Sequence, residues 1–86
     1  MFILEVAISP TPERLAARPA HRELLAEQHR QGKVLMAGPL ADDTAAVVIW
    51  DVDTREEVEA LMASDPYYSA NGVETTSIRE WAPFIV

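Results

Sequence analysis

The fold is decided by residues 33–52, KVLMAGPLADDTAAVVIWDV. Residues 33–40 read as a strand that Gly38-Pro39 brings to an end, because proline cannot donate to a sheet ladder. Residues 44–52 are the most strongly β-prone stretch of the chain, rich in β-branched and aromatic side chains. Asp42-Asp43 lies between the two as a turn. On either side the pattern repeats in mirror order. Upstream, residues 2–9 (FILEVAIS) place Phe2, Leu4, Val6 and Ile8 on one face of a strand, which Pro10 and Pro12 terminate. A helical pattern follows to about residue 31, with Gly32 at its C-terminal stop. Pro12 and Pro19 each suit a first helical position, so the expectation is a short turn and then a main helix starting at Pro19. Downstream, Thr54 and Glu57 form a capping box, Val58, Leu61 and Met62 make an inner stripe, and Pro66 stops the second helix. Residues 67–72 read as a loop, and residues 73–82 as the last strand.

The order is β-α-β-β-α-β, the ferredoxin-like arrangement of the α+β class. It implies a four-stranded antiparallel sheet with both helices on one face. The 86 residues make one domain, 1–86. A chain this short buries only about two thirds of its unfolded surface. Without cysteine, disulfides and thiolate metal sites are excluded, and two histidines among scattered carboxylates give no zinc spacing. Oligomerisation is the remaining source of stability. The second sheet face points the same way: the third strand is apolar on both faces, with Val47 and Ile49 on one and Ala46, Val48 and Trp50 on the other. A sheet with one wet face alternates apolar and polar residues. The expectation is a homodimer joined through an open face that carries Val48 and Trp50. The alternative is a monomer with scattered apolar surface residues.

The formal net charge of −7 and the absence of a clustered Lys/Arg stripe argue against nucleic acid and anionic membranes as partners. The apolar runs are far shorter than a membrane span. The N-terminal stretch lacks a basic region and contains Glu5, unlike a signal peptide. The expectation is a soluble cytoplasmic protein.

Two residues stand out chemically. His21 lies on the same helical side as Leu25 and Gln28 and therefore points toward the sheet or a pocket edge. Asp65 extends the apolar stripe of the second helix, where a bare buried carboxylate would be costly. Pro66 turns its backbone out of the helix. With both helices on one sheet face, the two side chains can meet. A carboxylate that fixes an imidazole tautomer makes an acid or base that works near neutral pH. The structural reading is that His21 is a capping or core residue and Asp65 caps local backbone. Arg18 can hold an anionic substrate group with its planar fork, or pair with Glu13 or Glu23 on the surface. Gly38 and Pro39 are ligand contacts or a strand terminator. Pro66, Tyr67 and Tyr68 are further contact candidates, with one tyrosine lining a pocket and the other shielding the core. His29, beside Arg30, suits the helix C-terminus and solvent. No nucleophile elbow and no glycine-rich phosphate loop is present.

Taken in register, several short motifs resemble the YciI-like domain family. They are Arg18-Pro19-Ala20-His21, then Gly32-Lys33-Val34-Leu35-Met36-Ala37-Gly38-Pro39, then Asp65-Pro66-Tyr67, Gly72-Val73 and Glu80-Trp81. The resemblance covers nearly the whole chain. It implies a dimeric α+β barrel and a His21–Asp65 dyad beside a pocket. A related enzyme type in that family removes chloride from chlorinated hydroxyquinones, and similar folds isomerise muconolactones or oxidise polyketide aromatics; the expectation for this chain is an enzyme without a cofactor. Tyr68 and the short segment between Pro39 and Val47 depart from the family pattern. The function expected is acid/base catalysis (elimination, isomerisation or hydrolysis) on a small aromatic or cyclic substrate. The alternative is a binding or accessory dimer without turnover.

Overall fold

The computed structural model describes residues 1–86. The chain runs β1 (Phe2–Ile8), α1 (Pro12–Arg30), β2 (Val34–Pro39), β3 (Ala45–Trp50), α2 (Arg55–Ala63), a 3-10 turn (Pro66–Ser69) and β4 (Val73–Glu80). The strands form one antiparallel sheet in the order β2-β3-β1-β4. This is the ferredoxin-like α+β fold expected from the sequence. No helix is long and apolar enough to cross a membrane.

The alternation in β1 sets the core. Phe2, Leu4, Val6 and Ile8 are all buried and pack with Val34, Val48, Trp50, Val52 and Val58. Val58 is the fully buried anchor of α2. Thr54 caps that helix: its hydroxyl accepts from the Glu57 amide at 3.2 Å and donates to the Glu57 carboxylate at 3.3 Å. The β2–β3 turn is held by Asp42, whose Oδ1 accepts from the Thr44 amide and hydroxyl at 3.0 and 2.7 Å. Asp43 there takes the left-handed conformation, φ 59°.

Two expectations are corrected. First, Val48 and Trp50 do not lie on the open face. They pair with Leu4 and Phe2 across β1 and sit in the core, 4 % and 0 % exposed. Because β3 is apolar on both sides, its parity is fixed only by register with β1, which the strand itself does not encode. The open face instead carries Ile3, Glu5 and Ala7 opposite Ile49, Val47 and Ala45, with Met36 beside Ile49. Second, α1 does not begin at Pro19. It starts at Pro12 behind the N-cap Thr11, and Pro19 lies inside it. An interior proline costs about 3 kcal/mol in an isolated helix. Here Pro19 is exposed, and the opposite stripe of Arg14, His21 and Gln28 is buried, so tertiary packing carries the helix through.

The start of α1 is tied to the start of β4. The Thr11 hydroxyl donates to the Asn71 carbonyl at 2.5 Å, and its oxygen accepts from the Arg14 amide at 3.1 Å. Gly72 follows with φ +96°, and a β-carbon there would collide with Thr11. This contact brings the first turn of α1 beside the segment that holds Asp65 and Tyr67.

Candidate functional site

Asp65 is placed by local chemistry. The proline after it restricts its backbone to the extended region, φ −119° and ψ 109°, and it becomes the N-cap of the 3-10 turn. Its Oδ1 accepts from the Tyr67 amide at 3.0 Å. That bond fixes the carboxylate and leaves Oδ2 aimed at α1, where it lies 2.6 Å from His21 Nδ1. The pair spans 44 positions of sequence and is buried, with side chains 10 % and 5 % exposed. An ionised carboxylate only accepts, so the bond assigns the imidazole proton to Nδ1. Nε2 has no protein partner and is the nitrogen left for a ligand.

Tyr67 completes the arrangement. Its ring stacks on His21 at 3.8 Å between centroids and 6° between planes. Its hydroxyl accepts from Arg14 Nε at 2.8 Å, and Arg14 Nη1 also donates to the Ser9 carbonyl at 3.3 Å. The imidazole is thus held by a carboxylate at its edge and by a ring on its face, and that ring is anchored by a buried guanidinium. Tyr68 stands edge-on to His21 at 5.2 Å. Burial, with the Asp65 charge as a smaller cause, pushes its phenol far above the ordinary range, so it stays neutral. Its hydroxyl is buried without a partner.

A cavity of about 620 Å³ lies between α1 and the β2–β3 half of the sheet. Arg18, His21, Gly38, Pro39 and Tyr67 all line it. Asp65 stands behind His21 and does not reach this wall. Asp65, Pro66 and Tyr68 line a second cavity on the α2 side. Tyr67 is therefore the tyrosine on the His21 cavity, and Pro66 and Tyr68 are not on that wall. Arg18 is in no ion pair with Glu13 or Glu23. A β-carbon on Gly38 would meet nothing within 4 Å, so glycine is not demanded there by packing.

Two arginines on the wall, Arg14 and Arg22, escaped the sequence reading, and a histidine expected only to face solvent at the helix end, His29, also borders the cavity. The spacing of Arg14 to Arg18 and His21 was the available signal for the first. His29 is solvent-exposed as expected, but its Nδ1 donates to the Val34 carbonyl at 2.8 Å, which turns the ring onto the cavity rim. No cluster of three His, Cys, Asp or Glu side chains suited to a metal occurs.

The fold and this cavity define a class: a ferredoxin-like protein with a tautomer-fixed histidine facing a metabolite-sized pocket. The sequence matches the YCII-related domain over residues 1–82, and the chain belongs to that family. It is 32 % identical over 77 residues to Protein YciI of Escherichia coli O6:H1, a match covering 78 % of this chain and 79 % of that one. The same figures hold for Protein YciI of Shigella flexneri. Among solved structures it resembles 5-chloro-2-hydroxyhydroquinone dehydrochlorinase from Burkholderia phenoliruptrix, in complex with 2,5-dihydroxybenzoquinone. The TM-score is 0.63 at 20 % identity, with 95 % of this chain and 94 % of the other covered. That likeness is one of fold.

Proposed function

We propose that the chain is an enzyme acting without a cofactor, in which His21 exchanges a proton with a small aromatic or cyclic substrate. Asp65 holds the imidazole in the tautomer that presents Nε2, and stabilises the imidazolium that forms when Nε2 takes the proton. Arg18 holds an anionic oxygen of the substrate, and Gly38, Pro39 and Tyr67 bound it. Elimination, isomerisation and hydrolysis each need such a group. The observation that carries the reading is the buried 2.6 Å bond behind a histidine on the wall of the cavity. The dehydrochlorinase of similar fold makes chlorinated hydroxyhydroquinones the first substrates to try. A positioned acid or base is worth about 10²–10⁴-fold in rate, so His21→Ala in a turnover screen on hydroxyhydroquinones and lactones is expected to lose that much. Unchanged turnover removes the histidine from the mechanism.

The working form we infer is a homodimer with sheets face to face. Ile3, Val47 and Met36 share the open face with Ile49, which is itself buried; Ile3 and Val47 are half-buried and Met36 is 63 % exposed. Light scattering at micromolar concentration is expected to give twice the chain mass, and Val47→Glu to halve it. A stable monomer of the parent chain would exclude this assembly.

A further inference from the structure

The chain has fourteen acidic side chains against seven Lys and Arg, yet the His21 cavity inverts that ratio. Arg14, Arg18 and Arg22 lie on its wall, and Asp43 is the single carboxylate there. None of these guanidinium groups is in an ion pair; the pairs in the structure are His21 with Asp65, Arg30 with Glu27, and Arg55 with Glu59. Arg14 is the most telling. It is 9 % exposed, and both its side-chain hydrogen bonds go to neutral oxygens, those of Tyr67 and Ser9. A buried cation held only by dipoles keeps its field unneutralised, and a low-dielectric wall concentrates that field in the cleft. Positions 14, 18 and 21 fall on one helical stripe, which puts Arg14, Arg18 and His21 along the same side of the cavity. Most of the wall is apolar, 11 of the 19 residues that line the cavity.

We propose that this cavity selects a small organic acid, with its carboxylate at the Arg14–Arg18 end and its apolar body toward Leu25 and Val48. The inference rests on the reading of this cavity as the site served by His21, and it names the ligand class. The planar fork of arginine matches a carboxylate in two-point geometry. The apolar wall favours an organic body over a bare inorganic anion. Arg14 acts at a distance, through its charge and through Tyr67. Arg18, half-buried and without a carboxylate partner, makes the direct contact.

The test uses the full ¹⁵N-labelled chain, titrated by NMR with benzoate, with the neutral isostere benzamide, and with inorganic phosphate. Benzoate is expected to shift the Arg18 Nε–Hε signal and the His21 ring, and to bind roughly tenfold or more tightly than benzamide, the worth of one charge-assisted hydrogen bond. Arg18→Gln is expected to erase that preference and Arg18→Lys to keep part of it. Equal affinities, no benzoate binding, shifts confined to residues outside the cavity, or phosphate binding more tightly than benzoate would each overturn the proposal. The two readings fail separately. Full turnover in His21→Ala ends the acid–base reading and leaves the benzoate preference untouched, whereas equal benzoate and benzamide affinities end the ligand class and leave the proton chemistry standing.

Discussion

Severing the bond between His21 and Asp65 gives the sharpest energetic expectation. Both side chains are nearly out of solvent, so the interaction is little screened. A hydrogen bond to a charged group contributes about 1.5–3 kcal/mol. Asp65 also caps the Tyr67 amide at 3.0 Å, and losing such a cap costs about 0.5–2 kcal/mol. Asp65→Ala removes both and should cost about 2–5 kcal/mol. A double-mutant cycle with His21→Ala isolates the shared part, because the cap is lost in both arms that carry Asp65→Ala. The coupling expected is about 2 kcal/mol. In a chain of this size that corresponds to about 8–16 °C in Tm. Urea unfolding at pH 7 reads it, with chain concentration held fixed because a dimer would make stability concentration-dependent. Additivity within about 0.5 kcal/mol would refute the reasoning, because that is how sites without contact behave.

Other expectations follow from single contacts. Tyr68→Phe deletes a buried hydroxyl without a partner and should stabilise the protein by about 1 kcal/mol in urea unfolding. The same substitution should flatten the alkaline limb of stability. The folded phenol holds its proton above the ordinary value of 10.0, so its contribution is full below that pH and is lost as pH rises beyond it. Pro19→Ala restores an interior helix hydrogen bond on an exposed face and should raise stability by about 1–3 kcal/mol, read as a higher Tm. Gly72→Ala should cost about 1–3 kcal/mol in the same assay, because φ +96° and the Thr11 hydroxyl both oppose a β-carbon.

What the chain's residues disclosed follows from how local each signal is. The alternation of Phe2, Leu4, Val6 and Ile8 is self-contained, and so are the Asp42 turn and the Thr54–Glu57 cap; each appears where it was read. The parity of β3 is not self-contained. With Val47, Val48, Ile49 and Trp50 all apolar, only pairing with β1 decides which side chains are inside. Pro19 misled because proline's local penalty is real and is outweighed by packing that the sequence does not display. At the site, Asp65-Pro66 marked a carboxylate turned out of a helix, and the stripe through His21 marked an inward imidazole. Their meeting depends on the crossover of two βα units. Arg14 carries no local signal of its burial, because a charged residue in a first helical turn has the pattern of surface, and its burial comes from Tyr67, 53 positions away. The exposure of His29 follows from its place at the helix end, but the Val34 carbonyl that orients it belongs to the next strand.

The whole proposal turns on which imidazole nitrogen of His21 is bare. Long-range ¹H–¹⁵N correlation on the ¹⁵N-labelled chain, at a pH where the ring is neutral, reports this directly. The account requires Nδ1 to carry the hydrogen, bound to Asp65, and Nε2 to show the signal of an unprotonated nitrogen. A neutral ring protonated on Nε2 would leave no lone pair for a ligand in the cavity and would contradict it.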